Sequence, residues 1–234
     1  LDGTAYASIN NGDSDAESNK PPSFTDIGLW KSPEGYDQAH VRLADIDGDG
    51  RADYCGLADN GDVTCWRNGW IEDVPAYWQP LGKRFTGKGM GDLRGVRFED
   101  INGDGRDDWM WVDDDGATTT YTNSRSCIKG ESGDGLNVVW RQGFYQDANS
   151  GPSHPGMGGI FGTSGLRDQV YFARIYGEVA DFGELGRQDY VFIKKDASDE
   201  NLGPIYYVYV WKSKGAGGAK IKGMEGSSYR EVDC

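Results

Sequence analysis

An all-β fold made of repeated antiparallel units is what this 234-residue sequence predicts. Three observations carry that expectation. Composition is the first: 36 glycines and 13 tyrosines, with few long leucine-rich runs, suit β-structure with many turns. Short alternating runs separated by Asn-Gly and Asp-Gly turns are the second. The third is an internal repeat. Helical periodicity is hard to find anywhere in the chain.

The repeat emerges when residues 41–68 are laid over 96–123. Val41-Arg-Leu-Ala-Asp-Ile-Asp-Gly-Asp-Gly-Arg-Ala-Asp53 matches Val96-Arg-Phe-Glu-Asp-Ile-Asn-Gly-Asp-Gly-Arg-Asp-Asp108 at a constant offset of 55, as Val41 to Val96 shows. Gly61–Asn68 matches Gly116–Asn123 at the same offset. A degenerate third copy follows, with Ala180–Tyr190 overlaying Ala44–Tyr54 without a gap. It lies about 26 residues later than the repeat length demands, and the Gly/Ser/Pro-rich stretch 124–168 is the expected home of that excess. One strand, Leu136–Tyr145, is expected inside that stretch. At the start, Gly3–Asn10 matches the Gly61–Asn68 strand, and Tyr229–Asp233 resembles an opening strand of another copy.

Within one copy the pattern reads as a strand (Val41–Asp45), an aspartate loop, and a second strand (Asp53–Ala58). An Asn-Gly turn, a third strand (Val63–Arg67) and a fourth around Tyr77–Phe85 follow. About four strands in about 55 residues is the content of one β-propeller blade. The predicted division is a partial blade at 1–38, blades at 39–93 and 94–168 with the enlarged loop 124–168, a degenerate blade at 169–222, and the start of another at 223–234. These pieces suit closure as about four blades or an excised arc of a larger ring, and the arc accounts better for the ragged ends.

The formal charge of −14 argues against nucleic acid or an anionic membrane as partner, because both require a basic face. No apolar run approaches the roughly 20 residues that span a bilayer, so no membrane insertion is expected. Leu1 opens polar, turn-like sequence, as in a mature or trimmed protein. Cys55 and Cys65 flank the turn Asp59-Asn60-Gly61-Asp62, so a cross-hairpin disulfide or a pair of buried thiols fits. A disulfide favours an oxidising, extracellular setting. Cys127 and Cys234 pair with each other or with residues outside this chain. With no CxxC pair and His40 and His154 as the only histidines, a zinc site is not expected.

Part of the negative charge is organised. Calcium takes six to eight oxygen ligands at about 2.3–2.6 Å, and side chains alternating along a short, sharply turned loop converge on one ion. The first loop offers Asp45, Asp47, Asp49 and Asp53; the second offers Asp100, Asn102, Asp104 and Asp108. Spacing is the same in both, and the backbone carbonyls of Arg51 and Arg106 are natural additional ligands. An EF-hand needs glutamate at its twelfth position, where Gly56 and Trp111 stand. In the third copy Gly183 and Leu185 replace the middle ligands between Asp181 and Asp189, so no tight calcium site is expected there.

On these loops the sequence resembles the FG-GAP/VCBS repeats of integrin α-chain propellers and of secreted fungal propeller proteins, calcium-containing lectins among them. The resemblance covers most of the chain. It implies a secreted β-propeller with one Ca2+ ion in each of two intact loops. It also implies a glycan-binding, accessory or scaffold role, with a glycan or cell-wall polysaccharide as partner or a tandem catalytic domain outside this chain. A carbohydrate-active lyase or hydrolase with its site at the propeller mouth, or a protein-adhesion module, are the alternatives.

Outside the loops, His154 lies in the glycine-rich part of the enlarged loop and is the candidate for acid–base chemistry or ligand binding. His40 reads as a strand-edge residue. Most tryptophans are expected to pack between blades, and Trp70 with Trp78 is the pair expected to present a stacking face to a sugar. No nucleophile elbow or phosphate-binding glycine loop is present.

Overall fold

The computed structural model describes residues 1–12, 21–69, 77–101, 103, 105–125, 138–143, 154, 156–157, 164–174, 188–195 and 204–211. Thirteen strands appear among them: β1 Ala5–Asn10, β2 Phe24–Lys31, β3 Val41–Ala44, β4 Asp53–Leu57, β5 Val63–Asn68, β6 Trp78–Phe85, β7 Val96–Glu99, β8 Asp108–Val112, β9 Thr118–Arg125, β10 Val138–Gly143, β11 Val170–Ala173, β12 Asp189–Lys195 and β13 Tyr206–Trp211. They form small antiparallel sheets in the orders β1-β2, β3-β4-β5-β6, β7-β8-β9-β10 and β11-β12-β13. The expected strands of the first copy, its fourth at Tyr77–Phe85 included, are present to within a residue or so. None of the described helices is long and apolar enough to cross a membrane.

Each repeat opens the same way. A one-turn 3₁₀ helix (Gln38–His40, Leu93–Gly95, Arg167–Gln169) feeds directly into β3, β7 and β11. Asp37 and Asp92 cap the first two turns, their carboxylates accepting from the Ala39 and Arg94 amides at 2.9 and 3.0 Å. His40 therefore sits in the turn before β3 and donates from Nδ1 to the Asp37 carboxylate (2.7 Å).

The chain divides into two compact units. One comprises residues 1–42 and 54–88; the other comprises 43–53 with the residues from 89 onward. In the first unit the β1-β2 hairpin is a register copy of β5-β6. Ala7 pairs with Gly28 where Cys65 pairs with Gly82, and the irregularities fall at matching places, after Ala5 and Ala7 and after Val63 and Cys65. Cys55 and Cys65 face one another directly across β4 and β5 and are joined by a disulfide. Their Cα separation of 4.1 Å is that of a close cross-strand pair.

The core of the second unit gathers Val112, Met157, Leu166, Val170, Tyr190 and Phe192. Val112 comes from β8, whereas Val170, Tyr190 and Phe192 come from β11 and β12, so the core joins a face of the β7–β10 sheet to a face of the β11–β13 sheet. Arg167 braces the junction. It is buried, donates through Nε to the Val112 carbonyl (2.8 Å), and pairs with Asp92 (2.6 Å).

One expectation needs correcting. The extra length before the third aspartate copy, about 26 residues, is expected entirely within 124–168. Among the described residues, however, the strand pairing with β12 is β11, with Ala173 opposite Asp189 as Glu99 is opposite Asp108. Residues 174–188 therefore connect the paired ends where residues 100–107 do so in the second copy. The excess length is divided between this connection and 124–168. Pairing is fixed by ladder hydrogen bonds and the buried face, which a one-dimensional overlay does not weigh.

Candidate metal centre

The first aspartate loop packs with the second unit, and its backbone is held by its own carboxylates. Asp45 Oδ1 accepts from the Gly48 and Asp49 amides (2.8 and 3.1 Å), and Oδ2 accepts from Gly50 (2.7 Å). Asp53 is fully buried at the start of β4, where its carboxylate accepts from Ile46 N–H at 3.1 Å. The second loop repeats this pattern. Asp100 accepts from Gly103 (2.7 Å) and Gly105 (3.1 Å), and Asp108 accepts from Ile101 (3.0 Å). Equal ligand spacing has thus produced equal hydrogen bonding, with the first aspartate winding the loop and the last one closing it.

Carboxylate oxygens of Asp45, Asp47 and Asp49 all lie within 4.8 Å of one another. Oxygens around a single ion at about 2.4 Å lie no more than about 4.8 Å apart, so this set fits one hard cation. Asp53 is engaged by Ile46 rather than belonging to that converging set. Burial, followed by the nearby Asp47 and Asp49 charges, pushes the Asp45 carboxyl up to about 6. Three carboxylates held this close repel, and a divalent cation is the group that would relieve the repulsion. Arg51 supplies a partial counter-charge: its guanidinium pairs with Asp49, and its amide donates to Asp49 Oδ1 at 2.9 Å. In the second loop Asn102 and Asp104 lie outside the described residues, so the predicted set is seen only at Asp100, Arg106 and Asp108.

The loops are also stitched from one copy to the next. Asp107 N–H donates to the Asp45 carbonyl (2.8 Å), and at the equivalent position Gln188 N–H donates to the Asp100 carbonyl (2.9 Å). Asp45 N–H returns a bond to Asp107 Oδ2 (2.8 Å). Asn123 is fully buried, and its side-chain amide donates to the Ile46 and Asp107 carbonyls at 2.8 and 3.2 Å. Arg106, expected to matter through its carbonyl, is buried and donates through Nε to the Asn123 carbonyl (3.2 Å). Its side-chain stem crosses Gly48 so closely that a Cβ there would lie 2.7 Å from Arg106 Cγ. Sequence reasoning assigned no role to Asn123 or Asp107. The signal for Asn123 was the asparagine ending each matched third strand, at Asn10, Asn68 and Asn123.

The other predicted site residues fall elsewhere. Trp70 lies outside the described residues, as do Cys127, Asp181 and Cys234. Trp78 is half-buried, packs edge-on against Trp30 at 4.7 Å, and donates its indole N–H to the Trp30 carbonyl (3.1 Å). It also forms one wall of an aromatic cage. The Lys31 ammonium lies 5.2, 5.5 and 5.6 Å from the ring centres of Tyr54, Trp66 and Trp78 and pairs with Glu34. A buried lysine is tolerable here because three ring faces and a carboxylate replace its water.

His154 is half-buried, stacked on Tyr190 at 3.9 Å and edge-on to Trp211 at 5.0 Å. Its Nδ1 accepts from Gly156 N–H (3.1 Å), which leaves the proton of the neutral ring on Nε2. Burial pushes its pKa down to about 4, so it is neutral at pH 7. Its backbone docks on the β8–β9 turn, exchanging bonds with Thr118 N–H (2.9 Å) and Thr118 Oγ1 (2.6 Å). The geometry makes His154 a fastening for the segment it belongs to. No protein-family model, curated protein or solved structure matches this chain.

Proposed function

We propose that this chain is a calcium-stabilised β-propeller region of the FG-GAP/VCBS type, acting outside the cell as a binding or scaffold module. The observation that carries the reading is the convergence of Asp45, Asp47 and Asp49 inside a loop whose hydrogen bonding recurs in the next copy. All donors are hard oxygens, which favours Ca2+ over softer ions. The successive four-stranded sheets, their common 3₁₀ entry and the recurring stitching of one aspartate loop to the next copy support repeated blades of one kind. The Cys55–Cys65 disulfide supports an oxidising location.

Trp78, half-buried beside Trp30 and the Lys31 ammonium, is the described ring of the pair proposed to stack on a sugar. Calorimetric titration of chelator-treated protein with CaCl2 tests the metal reading: saturable binding with a rise in melting temperature is expected, and no heat with an unchanged melting temperature rejects it. A glycan array run with and without chelator tests the sugar reading separately.

A further inference from the structure

The first aspartate loop is gripped by a residue of the next copy, and both belong to the second unit. Asp107 holds Asp45 from both sides across a sequence separation of 62. Asp45 N–H donates to Asp107 Oδ2 at 2.8 Å, and the Asp45 carbonyl accepts from Asp107 N–H at 2.8 Å. Two bonds to one residue fix its orientation, where a single bond leaves a pivot.

The rest of the loop hangs on Asp45. Its carboxylate oxygens accept from the amides of Gly48, Asp49 and Gly50, so the place of residue 45 sets the place of the loop apex. Asp47 and Asp49, which complete the converging set, lie on that span. Asp107 is itself anchored, because Asn123 Nδ2 donates to its carbonyl (3.2 Å) as well as to the Ile46 carbonyl (2.8 Å).

The following junction carries a different residue at this place. Gln188 precedes Asp189 as Asp107 precedes Asp108, and its N–H makes the same main-chain bond to the Asp100 carbonyl (2.9 Å). Its side-chain amide donates to the Glu99 carboxylate. The main-chain stitch thus recurs at both junctions, whereas the side chain bonds a different residue at each.

We infer that Asp107 is a positioning residue for the ion of the first loop: although it lies in the second loop, its carboxylate fixes Asp45 and through it the three-carboxylate set. This rests on the calcium reading above and extends it. Groups that orient a metal ligand from outside the coordination sphere govern affinity by about ten- to a hundredfold. The ion held by one copy is thereby made to depend on the next.

Calorimetric titration of wild type, Asp47→Asn, Asp107→Gln and Asp107→Asn with CaCl2 decides it. Asp47→Asn identifies the first-loop component as the one it weakens. Asp107→Gln installs the residue found at the following junction, and its melting temperature in chelator is expected to stay close to that of wild type. It is expected to weaken the first-loop component about tenfold or more and to leave any other calcium binding unchanged. Asp107→Asn keeps an oxygen acceptor at the same reach and is expected to remain close to wild type. Wild type that takes up no calcium removes the underlying reading and the inference with it. Calcium uptake that Asp47→Asn weakens and Asp107→Gln does not overturns the inference alone. So does Asp107→Asn falling as far as Asp107→Gln, which assigns the effect to charge. A loss matched by a fall in the chelator melting temperature also overturns it, since a merely structural residue gives that result.

Discussion

Asn123 clamps Ile46 across two copies of the repeat, its buried side-chain amide donating to the Ile46 carbonyl at 2.8 Å. That single contact ties the third strand of one copy to the aspartate loop of the preceding one. Removing it leaves a buried carbonyl without its donor, so Asn123→Ala is expected to cost about 2–3 kcal/mol. Urea unfolding checks this, with a lower midpoint and an unchanged m-value expected.

Asp47→Asn is expected to act with opposite sign in the presence and absence of calcium. With saturating Ca2+ it should weaken binding at least about tenfold and lower the melting temperature, because a ligand carboxylate is lost. In chelator it should be neutral or slightly stabilising, because it removes charge beside a crowded Asp45. Parallel melting curves with CaCl2 and with chelator read both effects. Equal destabilisation under the two conditions would assign Asp47 a purely mechanical role.

Gly48 and Gly50 both adopt positive φ, at +77° and +82°, but only Gly48 is overlain by Arg106. Alanine at either position is expected to cost about 1 kcal/mol for the left-handed backbone. Gly48→Ala should cost about 1–2 kcal/mol more, because its Cβ forces the Arg106 stem to move. Comparing the two variants by chemical denaturation isolates the contact. The difference should shrink in an Arg106→Ala background, as coupling between neighbours requires.

The Cys55–Cys65 bridge closes a short loop, with a sequence separation of 10. Replacing both cysteines by alanine is expected to cost about 2–3 kcal/mol, the chain-entropy value for a loop of that size. After full reduction of both proteins that difference between wild type and the double variant should disappear.

His154 gives the protein an acid-sensitive component. Burial lowers its folded pKa to about 4, against an ordinary value of about 6.5. The unfolded chain therefore takes up a proton that the folded chain refuses. This contribution is complete above about pH 6.5 and is lost as pH falls towards 4. Glu99 works in the opposite direction: burial raises it to about 7, so its burden on the folded state is relieved on acidification. Comparison with His154→Phe, which keeps a ring against Tyr190, isolates the histidine. Relative to that variant, wild type is expected to lose up to about 3 kcal/mol between pH 6.5 and 4. A difference independent of pH would place His154 in solvent.

The sequence by itself determined the all-β class, the first-copy strands and both aspartate loops. Those features are local. Alternation sets a strand, Asn-Gly sets a turn, and the spacing from Asp45 to Asp53 sets a loop in which each carboxylate meets amides a few residues away. Even the Cys55–Cys65 pairing was legible, because the turn between them fixes the register. Only the tertiary structure decided what joins one copy to the next. It showed Asn123 reaching Ile46, the stem of Arg106 crossing Gly48, and Val170–Ala173 pairing with β12. It also placed Trp78 beside Trp30 and the Lys31 ammonium. These are contacts between residues far apart in sequence, selected by which faces are buried together, and a repeat marks the positions without stating what each one will touch.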